Sequence, residues 1–242
     1  MRLDLYLVKT GAFESRSKAA AAISDGRVSV NGTACVKASF GVKDDDSIEI
    51  IPCVSDGYVG RAAIKLEYAL QNFKISVDGL SAVDIGASTG GFTQTLLKHG
   101  AKTVYAVDVG RGQLHETLLH DSRVVSIEGF NAREMTLDTV GGKAVDIAVM
   151  DVSFISQTLL YDAVRRVVKD GGMLISLIKP QFELTKSELG KNGIVKSEEK
   201  RRKAIDRVLS SASALGFECN GVIKSPIEGG SGNTEYLAMF IL

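Results

Sequence analysis

Apolar and polar positions along this chain follow two periods, and the changeover between them marks its organisation. In RLDLYLVKTG, Leu3, Tyr6 and Leu7 share one face at helical spacing. SRSKAAAAISDG follows, with Ser15 as N-cap and Gly26 beyond the end. The period then drops to two in VSVNG, which ends on the turn pair Asn31-Gly32, and in SIEI. These segments predict two short helices and then small strands. From position 61 the pattern changes. GRAAIKLEYALQNF sets Ala62, Leu66, Ala69, Leu70 and Phe73 on one helical stripe. SAVDIG, TVYAVDV, RVVSIEG, AVDIAVMDV and MLISLIKPQF are apolar strands. Helices are predicted between them, including one over ISQTLLYDAVRRVVKDGG. SEEKRRKAIDRVLSSASALG, capped by Ser197, is a long helix, and ECNGVIKSPI and TEYLAMFIL are closing strands. Seven strands alternating with helices predict an α/β fold, with a parallel sheet covered on both faces.

Composition alters this picture little. Lys plus Arg equals Asp plus Glu at 29 each, so no global charge draws the chain to nucleic acid or membrane. Residues 1–43 hold seven basic groups against three acidic, a modest local excess that a solvated surface would also explain. IPCVSDGYVG reads as a linker, dividing the chain into residues 1–51, a linker over 52–60, and residues 61–242. Arg2 and Asp4 interrupt any leader-like apolar region, and no apolar run approaches the roughly 18 residues of a membrane helix. Cys35, Cys53 and Cys219 are odd in number and far apart. They argue against a disulfide framework or a metal site, and fit a reducing cytoplasm.

The stretch VDIGASTGGFT joins the first strand of the sheet to its helix, where open α/β sheets bind ligands. Its spacing is D-x-G-x-x-x-G-G. The dinucleotide fingerprint would need glycine at Ser88, so a pyrophosphate cradle and a nucleotide-dependent oxidoreductase are disfavoured. Gly86, Gly90 and Gly91 would let backbone approach a ligand. Asp84 could hold an ammonium, directly or through water. Asp108, ending the second strand, could accept two ribose hydroxyls. Both features suit S-adenosylmethionine. A strand-capping aspartate and ordinary turn glycines would explain the loop taken alone.

Charges at the predicted strand ends carry further chemistry. Asp151 ends the fourth strand and Lys179 the fifth, Glu235 stands where the last begins, and Lys65 lies in the helix opening the domain. Singly, each reads as a solvated surface charge. Together they suit an oxygen nucleophile. A ribose 2′-hydroxyl must lose its proton, and a lysine can take it only if partly neutral, which a second ammonium and partial burial favour.

VDIGASTGGFT, AVDVGRGQL, MDVSFIS, LIKPQFE, NGIV and SPIEGGSGNTEYL, in this order, resemble the TlyA (haemolysin-A-like) family of ribosomal RNA 2′-O-methyltransferases, whose catalytic domain is of the FtsJ type. The first 32 residues resemble the small RNA-binding domain named after ribosomal protein S-four. The resemblance implies a Rossmann-like seven-stranded methyltransferase sheet behind an α+β RNA-binding domain. It implies a tetrad of Lys65, Asp151, Lys179 and Glu235 with Lys179 as base, and methyl transfer to a cytidine 2′-oxygen. S-adenosylmethionine would be bound by Asp84, Gly86, Ser88, Thr89, Gly90, Gly91, Phe92, Asp108, Val109, Asn131 and Asp151. Ribosomal RNA or ribosomal subunits would be the partner, met by Arg2, Ser15, Arg16, Lys18, Arg27 and Asn31. The family name brings a membrane-active haemolysin as a competing reading, although no Trp-rich lytic helix is present. An RNA-binding protein with an inactive methyltransferase fold is another.

Overall fold

The structure, a computed structural model, describes residues 1–51 and 56–242. It forms two compact units, residues 1–56 and 57–242. Part of the linker expected over 52–60, and Cys53 with it, lies outside the described residues.

In the first unit, α1 (Leu3–Lys9) and α2 (Arg16–Ser24) pack against the strands β1 (Val28–Val30), β2 (Thr33–Ala34) and β3 (Ile48–Ile50). The sheet is antiparallel with order β2-β1-β3. Ser15 caps α2 as its sequence predicts, its hydroxyl accepting from the Lys18 N–H. Asn31 and Gly32, both at positive φ, close the two-residue turn between β1 and β2. Leu3, Leu7, Ile23 and Val28 are the fully buried centre.

The second unit opens with α3 (Ala62–Phe73) and continues through β4 (Ser81–Ile85), α4 (Gly91–Lys98), β5 (Thr103–Asp108), α5 (Glu116–Leu119) and β6 (Val124–Glu128). Then come β7 (Val145–Met150), α6 (Tyr161–Val167), β8 (Val168–Ile178), α7 (Pro180–Glu183), α8 (Glu198–Ser213), β9 (Glu218–Lys224) and β10 (Tyr236–Ile241). One seven-stranded sheet has the order β6-β5-β4-β7-β8-β10-β9. The chain leaves β4 for β5 on one side and later returns for β7 on the other. The turn after β4 is therefore the switch point, where a crevice opens beyond the strand ends.

The central strands bury both faces, and their side chains alternate between two cores. Val83, Ile85, Ala148, Met150 and Phe240 join one; Ala82, Ile147, Val149, Ile175 and Leu237 join the other. Tyr161, Phe217 and Phe240 form a fully or nearly fully buried aromatic group in the first core, with ring centroids 5.9 to 6.4 Å apart.

Four expectations are corrected. The sheet is mixed, because β10 runs antiparallel to both β8 and β9. The single helix expected after β7 is a 3₁₀ turn at Gln157–Leu159 followed by the short α6. Val168 already pairs with Val145, so β8 starts earlier than its apolar run. Finally, β8 stops at Ile178, and Pro180 opens α7, where its fixed φ and missing N–H suit a first helical turn.

Truncating Phe240 to alanine removes a fully buried ring from between two others. Urea unfolding of Phe240→Ala is expected to show a loss of about 3–5 kcal/mol; a loss below about 1 kcal/mol would contradict this account of the core.

Candidate active site

The reversed strand decides what meets at the carboxyl edge. An antiparallel β10 begins where the parallel strands end. Tyr236 lies opposite Ile178, so Glu235 and Lys179 leave the ladder side by side. Asp151 follows β7 directly, its N–H donating to the Ile85 carbonyl at the end of β4. Lys65 arrives from α3, on the side that also buries Leu66 and Ala69.

The four groups form two buried pairs. Lys65 Nζ donates to Glu235 Oε2 at 2.6 Å, and these side chains are 10% and 3% exposed. Lys179 Nζ sits 2.5 Å from Asp151 Oδ1 and donates to Ser153 Oγ at 2.7 Å. The 179–151 contact is an ion pair without hydrogen-bond alignment, and Asp151 Oδ1 has no other partner. Ser153 precedes Phe154, an exposed residue held at φ 65°, a backbone region that bulky side chains seldom occupy. Its ring lies 5.4 Å from that of Phe182 on α7.

A cavity of about 660 Å³ opens at the switch point, lined by Asp151 but not by Lys65, Lys179 or Glu235. Of the residues expected to hold a cofactor, Gly86, Ser88, Asp108, Val109, Asn131 and Asp151 line it. Asp108 is fixed by two backbone donors, Ser88 N–H to Oδ2 at 2.8 Å and Gly110 N–H to Oδ1 at 2.7 Å. Each oxygen keeps a lone pair for a further donor. Asn131 accepts from Arg133 N–H and donates to Glu134. Gln113, Phe130, Arg133, Ser153 and Phe154 also line the cavity, none of them anticipated. Glu128 was missed as well. It ends β6 and accepts from the N–H groups of Gly112, Gln113 and Leu114, pinning the loop beside Asp108. A carboxylate at a strand end, the pattern used for Asp108, would have found it.

Asp84, Thr89, Gly90, Gly91 and Phe92 do not line this cavity. Phe92 packs into the core between α4 and the sheet. A Cβ on Gly90 would meet Leu118 and Leu114, and one on Gly91 would meet the Ala63 N and Ala62. These glycines admit neighbouring protein rather than a ligand. Gly86 does both: it borders the cavity, and at φ 85° an added Cβ would strike the Asp151 carbonyl oxygen at 2.6 Å. Thr89 is exposed, its carbonyl accepting from the His115 N–H.

The six side chains expected to face RNA are all engaged within the first unit. Arg2 and Arg16 share the buried carboxylate of Asp4, each contact 3.0 Å. The Arg2 guanidinium above all holds that carboxyl well below the usual range. Lys18 pairs with Glu14, Arg27 with the Ile51 carbonyl and Asp56, and Asn31 with Asp46 and the Ser47 N–H. Ser15 is spent as the α2 cap.

Asp84 is wholly buried on β4. Oδ2 accepts from Thr93 Oγ1 at 2.7 Å, and Oδ1 has no partner. Burial pushes its carboxyl up to about 7, against the Thr93 hydrogen bond and with help from the charges of Asp151 and Asp108. In the unfolded chain this group ionises near pH 4. The folded chain keeps the proton longer, so Asp84 stabilises at low pH, and that contribution is lost as pH rises through about 7. Asp84→Asn, neutral at every pH, should melt above the parent at pH 8, with the gap narrowed at pH 5 and closed only below about pH 4. Equal melting temperatures at both pH values would mean that Asp84 is not held protonated.

Comparison with known proteins matches residues 58–241 to the FtsJ-like methyltransferase family and residues 1–48 to the S4 domain. "Hemolysin A" of Brachyspira hyodysenteriae is 45% identical over 243 residues, all of both chains. "16S/23S rRNA (cytidine-2'-O)-methyltransferase TlyA" of Mycobacterium tuberculosis is 40% identical over 97% of this chain and 87% of that one. A solved chain from Streptococcus thermophilus superposes with a TM-score of 0.79 at 39% identity, covering 100% of this chain and 88% of its own. With its mixed sheet, its switch-point cavity and relatives alike along its whole length, the chain belongs to the TlyA family of FtsJ-like methyltransferases.

Proposed function

We propose that this protein transfers a methyl group from S-adenosylmethionine to the 2′-hydroxyl of a cytidine in ribosomal RNA. One observation carries the chemistry. Two buried lysine–carboxylate pairs stand at the sheet edge, and the Asp151 of one also lines the cavity. The substrate follows from the relatives, since the M. tuberculosis protein bears the activity in its name.

The residues present fit the cofactor. Asp84 stands behind the cavity wall rather than on it; its buried Oδ1 finds no hydrogen-bond partner among the described residues, and a water could relay it to an ammonium. Asp108, fixed by Ser88 and Gly110, would hold the ribose hydroxyls, with Gly86 and Asn131 beside it. When bound, the cofactor supplies an electrophilic methyl group on a sulfonium. The chain's own task is to place the 2′-oxygen in line and take its proton. Lys179 serves as that base, held by Asp151 and Ser153. Lys65 helps hold the sugar oxygen, and Glu235, paired with it, completes the network. The gain in rate comes mainly from positioning.

Residues 1–51 act as the RNA-binding domain, residues 61–242 as the catalytic domain, and 52–60 as the link between them. Arg2, Ser15, Arg16, Lys18, Arg27 and Asn31 form the RNA-facing set. The reading puts the protein at work in the cytoplasm, on ribosomal subunits. The haemolysin name belongs to the Brachyspira relative; among the described residues no helix is long and apolar enough to cross a membrane.

Tritium transfer from labelled S-adenosylmethionine to ribosomal subunits, followed by mapping of the modified ribose, tests the function. Label that stays out of RNA, or enters a base rather than a 2′-oxygen, would refute it. Lys179→Ala should lower kcat at least about 10²-fold while calorimetry finds the cofactor Kd within about threefold of the parent. Retained turnover in that variant would remove Lys179 as the base.

A further inference from the structure

Glu183 is 2% exposed, carries a charge-bearing side chain, and has no part in the chemistry above. It ends α7, four residues after Lys179. Its carboxylate accepts from Ser156 Oγ at 2.5 Å and from the Gln157 N–H at 2.9 Å. Both donors lie in the segment that follows β7 and begins with Asp151. Burial raises its carboxyl pKa, so the site is costly unless these bonds are made.

Three contacts thus join the segment 151–157 to the segment 179–183, in register along both. Lys179 meets Asp151 and Ser153, Phe182 meets Phe154, and Glu183 meets Ser156 and Gln157. The first is the reactive pair itself. The second joins exposed or half-exposed rings. The third is the most deeply buried, with Glu183 and Gln157 2% and 1% exposed, and it is anchored on both sides. Gln157 is tied to β8 through Ser176 and the Leu177 carbonyl, and to α6 through Tyr161. The Glu183 carbonyl accepts from Arg207 of α8 at 2.8 Å. Between the reactive pair and this anchor sits Phe154 at φ 65°, a conformation that persists only where its surroundings impose it.

We propose that Glu183 is a positioning residue: by holding Ser156 and Gln157 it sets where Asp151 and Ser153 stand against Lys179. The proposal rests on the methyl-transfer reading, and its test separates the two. Glu183→Gln keeps both bonds, since the amide accepts from the Gln157 N–H and donates to Ser156 Oγ. Glu183→Ala abolishes both, and Ser156→Ala removes one while leaving the other, which preserves the fold should the first variant unfold.

Methyl transfer to ribosomal subunits is measured first. Glu183→Ala should lose about 10²-fold in kcat, with the KM for RNA and the cofactor Kd each within about threefold, as a displacement of reacting groups does. Ser156→Ala should fall between that variant and the parent, and Glu183→Gln should retain kcat within about threefold. A parent-like kcat in Glu183→Ala or Ser156→Ala would overturn the proposal. So would losses in kcat and cofactor affinity that move together and are no smaller in Glu183→Gln. The second measurement needs neither cofactor nor RNA. The Lys179 side-chain ¹³Cε resonance should move in Glu183→Ala and Ser156→Ala and stay in place in Glu183→Gln. An unmoved resonance would overturn the proposal even if the parent methylated nothing, an outcome that would by itself refute only the methyl-transfer reading.

Discussion

Charges taken out of water must find partners, and the carboxyl edge of this sheet removes four of them at once. A lone ammonium or carboxylate there would cost several kcal/mol after relaxation. Lys65 with Glu235 and Lys179 with Asp151 meet that cost pairwise, at 2.6 and 2.5 Å. The parallel ends of β7 and β8 set Asp151 beside Lys179, while Glu235 reaches this edge only because β10 is reversed. Chain direction, buried electrostatics and the placement of the site are thus a single requirement. The cavity beside it follows from the strand order, which parts the chain on either side of β4.

Much of this was legible in the residues, for reasons that differ from element to element. The central strands could be read because their apolar runs are buried on both faces, with few polar positions among them. Asp108 and Asp151 could be placed because a carboxylate directly after an apolar run must stand at a strand end. The direction of β10 could not be read, since a six-residue apolar strand looks the same either way. In a wholly parallel sheet Glu235, at the start of its strand, would stand at the opposite edge from Asp151 and Lys179; the reversal of β10 brings it to theirs. Phe92 followed a glycine loop and was taken for a ligand contact, but as the second residue of a helix lying on the sheet it turns into the core. Glu183 was passed over because a glutamate two residues after a proline-glutamine step carries no periodic signal. Its role exists only once two loops distant in sequence are side by side.

The N-terminal unit uses its charges in another way. Arg2 and Arg16 both lean on one buried carboxylate while their side chains stay half in water. Guanidinium groups carry donors in excess of what one carboxylate accepts, so pairing with Asp4 orients them without exhausting them. A basic surface held in this way gives up less conformational freedom on meeting an anion than one of loose side chains.

Where Gly86 passes Asp151, the atoms an added Cβ would strike first are the main-chain oxygen and carbon of Asp151, a clash that trimming the nearby Val152 side chain would not relieve. Most tight spots in a protein can drift, one residue shrinking as its neighbour grows. This one has nothing to trade, because neither carbonyl nor peptide nitrogen is encoded by residue choice. The position is closed to exchange for as long as the first and fourth strands of the sheet keep their spacing. A change there would report on the architecture itself rather than on the preferences of the site.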